Sequence, residues 1–117
     1  MTDSYLFYPL ADRQQDEIWL YSAQEWGRDQ ADIYIYGLHA RIKEAANDHF
    51  IWARLDEPTG KIPKDVHFVP YRKHYVFFRI LPSGRLGVIS SLHTFRDLPT
   101  RLLEDLTEIE KSQIRLH

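Results

Sequence analysis

Residues 72–92 read RKHYVFFRILPSGRLGVISSL, and this stretch decides the fold. Its first half, His74–Leu81, is a run of aromatic and β-branched residues, the composition of a half-buried strand. Pro82-Ser83-Gly84 supplies a turn, and Arg85–Leu92 reads as the returning strand. Strands joined by so short a turn pair antiparallel. The same region gathers positive charge. Residues 61–101 carry eight Lys/Arg against two Asp/Glu, together with His67, His74 and His93, whereas residues 1–60 carry five Lys/Arg against eleven Asp/Glu. The net charge of -2 therefore conceals a basic segment. A local positive field attracts phosphates or acidic protein surfaces, and the plainer alternative is a solvated strand face.

Outward from the ribbon, Val66–Val69 reads as one more strand. Asn47–Lys64, with Pro58, Gly60 and Pro63, reads as a long connection with a short strand near Ile51–Ala53. Upstream, two helical patterns meet at Gly27. The first starts near Ala11 with Asp12 as N-cap and carries Ile18, Trp19, Ala23 and Trp26. The second, capped by Asp29, has the stripe Ala31, Tyr34, Ile35, Leu38, Ile42, Ala45 and Ala46. Gly27 tolerates the backbone that ends a helix, and so short a break folds the two into an antiparallel hairpin. Tyr5–Tyr8 is a short strand closed by Pro9. After the ribbon, Asp97 caps a final helix whose stripe is Leu98, Leu102, Leu103, Leu106 and Ile109. The expected class is α+β: an N-terminal strand, an antiparallel two-helix hairpin packed on a small antiparallel sheet, and a C-terminal helix, with residues 1–117 forming one domain.

Composition narrows the function. With 44% apolar and 14% aromatic residues in 117, the chain has material for a core rather than a disordered tail. It has no cysteine, which removes disulfides, thiolate metal sites and a cysteine nucleophile. No apolar run approaches the roughly 18 residues that cross a bilayer, and the start MTDSYLFYPLADR has no basic segment, so a cytoplasmic protein without a membrane span is expected. His39, His49 and His117 show no metal-ligand spacing with carboxylates, and neither a phosphate-cradling glycine loop nor a serine-hydrolase elbow occurs. No metal or cofactor is expected.

Several side chains stand out. Arg72, Lys73 and His74 form the densest basic cluster. If Val76, Phe78 and Ile80 face the core, Tyr75, Phe77 and Arg79 share the opposite face, which either meets a partner or lies under the chain's own C-terminal segment. His93 ends a strand just before the last helix. It serves either as a target contact or general base, or as a pin bonded to Asp97 or a backbone carbonyl. Trp19 and Trp26, seven residues apart, share one helix face, and packing against the sheet is the default expectation. Trp52 sits in the connection as a candidate exposed anchor.

Three pieces in order resemble the RelE/ParE toxin superfamily. Glu25-Trp26-Gly27-Arg28-Asp29-Gln30-Ala31, followed by Tyr34 and Leu38, is similar to the ParE-type pattern of the helical hairpin. Arg72-Lys73-His74-Tyr75-Val76-Phe77-Phe78-Arg79 is similar to the family's basic–His–aliphatic/aromatic–Arg strand. Leu92-His93-Thr94-Phe95-Arg96-Asp97-Leu98-Pro99 is similar to its Leu-His-x-x-Arg-Asp-Leu-Pro. The resemblance covers about Tyr5 to Leu102. It implies a type II toxin held by a cognate antitoxin in a hetero-oligomer. RelE-type members cut mRNA on the ribosome with a basic set and a late tyrosine. Here Tyr75 stands at the strand position that carries the nuclease's arginine, and no tyrosine follows it. The resemblance thus favours the ParE branch, associated with inhibition of DNA gyrase, over the endoribonuclease, and leaves open whether the chain is an enzyme. It implies target contacts from Arg72, Lys73, His74, Arg79, His93 and Arg96, and antitoxin contacts from Trp19, Tyr75, Phe77 and Arg79.

Overall fold

The computed structural model describes residues 4–94 and 97–115. Along the chain they form β1 (Tyr5–Phe7), α1 (Pro9–Trp26), α2 (Arg28–Asn47), a 3-10 turn at His49–Ile51, β2 (His67–Tyr71), β3 (His74–Ile80), β4 (Leu86–His93) and α3 (Leu98–Arg115). The α+β class holds. The sheet order is β1-β4-β3-β2, with β2–β3 and β3–β4 antiparallel and β1 parallel to β4, so the sheet is mixed rather than wholly antiparallel.

The helix limits follow from local chemistry. α1 begins at Pro9, earlier than Asp12, because proline's fixed φ and missing N–H suit the first helical position; Asp12 lies in the first turn instead. Gly27, at φ 93°, ends α1 and starts α2 by itself. Its N–H donates to the Ala23 carbonyl, and its own carbonyl accepts from the Ala31 N–H. Asp29 is therefore a first-turn residue of α2, not its cap. Contacts symmetric about Gly27 confirm the antiparallel hairpin: Trp19 Nε1 donates to Asp32 Oδ1 at 2.8 Å, and Gln15 Oε1 meets His39 Nε2.

The sheet is covered on both faces. Towards the hairpin, Tyr5, Ala11, Leu38, Ile42, Ala45, Val69, Val76, Phe78, Leu86 and Val88 pack together. Towards α3, a second core joins Ile62, Val66, Phe77, Ile89, Leu92, Leu98, Leu102, Leu106 and Ile109. Thus α3 covers the face that carries Phe77, which is only 1% exposed, and an open binding face around Tyr75 and Phe77 does not exist. Trp52 is half-buried rather than an exposed anchor: its Nε1 donates to the Ala45 carbonyl at 2.6 Å and its ring meets Phe78 edge-on. The expected strand at Ile51–Ala53 is reduced to a single bridge from Ala53 to Phe68.

Both sheet edges are blunted. On β2, the outward groups of Phe68 are taken by Ala53, Pro70 has no N–H, and the Pro70 carbonyl accepts from Arg41 Nε at 3.0 Å. On β1, the Tyr5 carbonyl accepts from an Arg85 guanidinium nitrogen at 3.3 Å. A partner strand would meet these groups already engaged at both edges.

Candidate functional site at the end of the β3–β4 ribbon

A β-bulge builds the site. In the β3–β4 pair, Ile80 faces Leu86, Arg79 faces Gly87 and Phe78 faces Val88, but the register then slips by one so that Phe77 faces Ser90. One extra residue reverses which side chains face which layer beyond it. Leu86 and Val88 point to the hairpin. Ile89 joins the α3 core, and Ser90 bonds Asp105 of α3. Past the slip, Ser91 shares the hairpin side with Val76, and His93 shares it with His74. Without the bulge, Ser91 and His93 would face α3.

What results is a cleft of about 830 Å³ between α1, the start of α2, the β2–β3 turn, the end of β4 and the first turns of α3. Glu17, Ile18, Tyr21, Ser22 and Trp26 line it from α1, and Gln30 and Tyr34 from α2. Arg72, Lys73 and His74 enter from the turn and β3, Ser91, Leu92 and His93 from β4, and Arg101 from α3.

Its charge is arranged unusually. Arg72 adopts φ 51°, the only non-glycine positive φ among the described residues, to make the tight turn that presents Arg72 and Lys73. The Arg72 guanidinium lies 5.8 Å from the ring centres of both Tyr34 and Tyr71, and Lys73 Nζ lies 5.8 Å from that of Trp26. Aromatic faces steady these cations without neutralising them. Tyr71 can sit there because Gly37 leaves room. A Cβ on Gly37 would stand 2.2 Å from the Tyr71 hydroxyl, which donates to the Tyr34 carbonyl.

The two imidazoles are neighbours. His74 and His93 meet edge-on, ring centres 5.4 Å apart. Burial, with a smaller contribution from the charge of His93, lowers the His74 pKa to about 4, so His74 is neutral near pH 7. Burial raises the Tyr34 pKa, and the Tyr34 hydroxyl is hydrogen-bonded by the Lys73 backbone. The Tyr34 hydroxyl and His74 Nδ1 are hydrogen-bonded to each other at 2.7 Å.

The cleft brings together Arg72, Lys73, His74 and His93. It excludes Arg79, about 17 Å along the strand from His74 at roughly 3.3 Å per residue. Arg79 Nε sits 3.5 Å from Asp65 Oδ2, an ionic contact without hydrogen-bond geometry, and has no hydrogen-bond partner among the described residues. Arg96 lies outside the described residues. Trp19 is tied to Asp32, and Tyr75 stacks on Phe68 at 4.5 Å. Trp26, expected to pack on the sheet, is 56% exposed and lines the cleft instead. The heptad spacing put both tryptophans on one face but not on the inward one. Ala11, Gln14 and Ser22 are the buried residues of α1, and both tryptophans lie roughly 70–90° around the helix from their mean direction at about 100° per residue. Asp97 precedes α3 as expected: its carbonyl accepts from the Arg101 N–H, and its carboxylate accepts from Thr100 Oγ1 at 2.9 Å.

Ser91, Arg101 and Tyr21 were not expected here. The bulge brings in Ser91 and the approach of α3 brings in Arg101, and neither has a signature in the sequence. Among the described residues no cluster of His, Cys, Asp or Glu has metal-binding geometry, and no helix is long and apolar enough to cross a membrane.

Fold and cleft together define a small α+β protein whose sheet ends in a cleft lined by Arg72, Lys73, His74, His93 and Arg101. Toxin ParE1 of Mycobacterium tuberculosis, from two strains, is 30% identical to the chain over 103 residues, covering 87% of this chain and 100% of the relative. No family model matches. The chain belongs to the ParE branch of the RelE/ParE superfamily, a family of type II toxin components.

Proposed function

We propose that this toxin acts by binding DNA gyrase and blocking it, and that a cognate antitoxin neutralises it within a hetero-oligomer in the cytoplasm. The target contacts are Arg72, Lys73, His74 and His93 at the cleft mouth. The observation that carries this reading is the cation pair of the β2–β3 turn, set against tyrosine and tryptophan rings. Exposed charges of this kind attract acidic surfaces and speed association with them. Likeness to Toxin ParE1 supports the class. An acidic antitoxin segment that covers the same cations would hide the toxin from its target.

Purified protein is expected to inhibit gyrase supercoiling of plasmid DNA, and an acidic antitoxin from the neighbouring reading frame to relieve the inhibition. Unimpaired supercoiling at doses that stop growth would refute the gyrase assignment. Codon-positioned mRNA cuts under those conditions would assign the chain to ribosome-dependent cleavage instead.

A further inference from the structure

We propose that the floor of the cleft is a binding site for a phosphate monoester carried on a flat ring, the chemistry of a nucleoside monophosphate. Three observations point there. First, Ser91 lines the cleft, is 6% exposed, and its hydroxyl has no hydrogen-bond partner among the described residues. Buried hydroxyls are almost always paired, so an orphan in a cavity wall marks the place of a ligand atom. Second, Arg72 and Lys73 lie at the mouth with ring partners and with no ion pair to a carboxylate among the described residues. With the His74 imidazole, which lines the same cleft, they supply a guanidinium, an ammonium and a ring nitrogen, groups that suit the terminal oxygens of a phosphate. Third, the α1 wall that meets Lys73 is aromatic: Tyr21 and Trp26 contact edge-on with ring centres 6.1 Å apart and are 59% and 56% exposed. Exposed rings beside cations form a platform on which a base can stack.

The volume of about 830 Å³ is within the range of small-ligand sites. A peptide carboxylate is the weaker fit. An extended segment brings backbone groups that need partners, and the edges that could supply them are closed at Phe68, Pro70 and Tyr5. Arg72, Lys73 and His74 are also proposed as target contacts, but nucleotide binding is read without gyrase and stands or fails separately from its inhibition.

The test is an NMR titration of the full chain with adenosine 5′-monophosphate, inorganic phosphate, adenosine and a short polyglutamate peptide. The monophosphate is expected to shift the His74 and His93 ring signals with a Kd of about 0.1–1 mM, and phosphate alone to bind about tenfold more weakly. Ser91→Ala and Lys73→Gln are each expected to weaken the monophosphate about five- to tenfold with the fold intact by circular dichroism, and Trp26→Leu to bring monophosphate and phosphate to equal affinity. Absence of shifts up to about 10 mM monophosphate, equal affinity for phosphate and monophosphate in the unaltered protein, or polyglutamate binding without monophosphate binding would each overturn the proposal. Gyrase inhibition without nucleotide binding would overturn it while leaving the gyrase reading in place.

Discussion

The two ends of the β3–β4 ribbon carry cations of the same kind and treat them differently. At the turn end, Arg79 is drawn against Asp65, and Arg85 donates to the Tyr5 carbonyl across the β1 edge. At the open end, Arg72 and Lys73 rest on rings, and two imidazoles face each other beneath them. A carboxylate or carbonyl consumes a cation's capacity to bind; an aromatic face orients it and leaves most of its charge outward. Position along the ribbon, rather than residue type, separates arginines set against a carboxylate or carbonyl from the one set against rings. The bulge beyond Phe78 completes the difference by turning Ser91 and His93 toward the open end.

The largest effect should come from the layer that holds the ribbon in place. Phe77→Ala empties the core beneath α3 and should cost about 3–5 kcal/mol, read as a lower urea midpoint. An unchanged midpoint would mean that α3 does not pack on Phe77. A pH effect should follow. The folded-state pKa of His74 is depressed from 6.5 to about 4, so the unfolded chain binds the extra proton first. Stability present above about pH 6.5 should therefore drain away as pH falls towards about 4. His74→Gln should flatten that part of the midpoint-versus-pH curve, and an equally steep curve in the variant would place the titration elsewhere.

Smaller effects probe the open end alone. Gly37→Ala pushes the Tyr71 hydroxyl off the Tyr34 carbonyl. Against the better helix propensity of alanine, a net loss of about 1 kcal/mol is expected, with perturbed Tyr34 and His74 signals. Arg72→Gly removes a side chain from a left-handed backbone and should raise stability by up to about 1 kcal/mol while weakening target binding. Gain of stability with undiminished binding would show that the turn's conformation, not its cation, matters. At the turn end, Arg79→Gln should stay within about 0.5 kcal/mol in urea unfolding.

The fold was largely legible in the sequence because periodicity reports it directly. Leu98, Leu102, Leu106 and Ile109 do line the inner side of α3, and Ala31, Leu38, Ile42 and Ala45 that of α2. The parallel pairing of β1 with β4 was not legible, since it joins residues about eighty positions apart and leaves no local pattern. Arg72, Lys73, His74 and His93 could be singled out as a basic group, but not how they sit. Counting from the turn at Pro82–Gly84 in perfect alternation pairs His74 with Leu92; only the bulge pairs it with His93. The same alternation grouped Arg79 with Tyr75 and Phe77 and left open whether a partner or the chain's own C-terminal segment covers that face; α3 packs over Tyr75 and Phe77. Trp26 misled for a related reason: a helical period tells which residues share a face, while the inward face is set by what packs against it.

The most direct measurement compares the two ends in one assay, the dose of purified toxin that halves gyrase supercoiling. Lys73→Gln and Arg72→Gly, at the open end, should raise that dose about tenfold or more, and Arg79→Gln, at the turn end, should leave it unchanged. If Arg79→Gln abolishes inhibition while both open-end variants remain fully active, the cleft is not where this toxin meets its target.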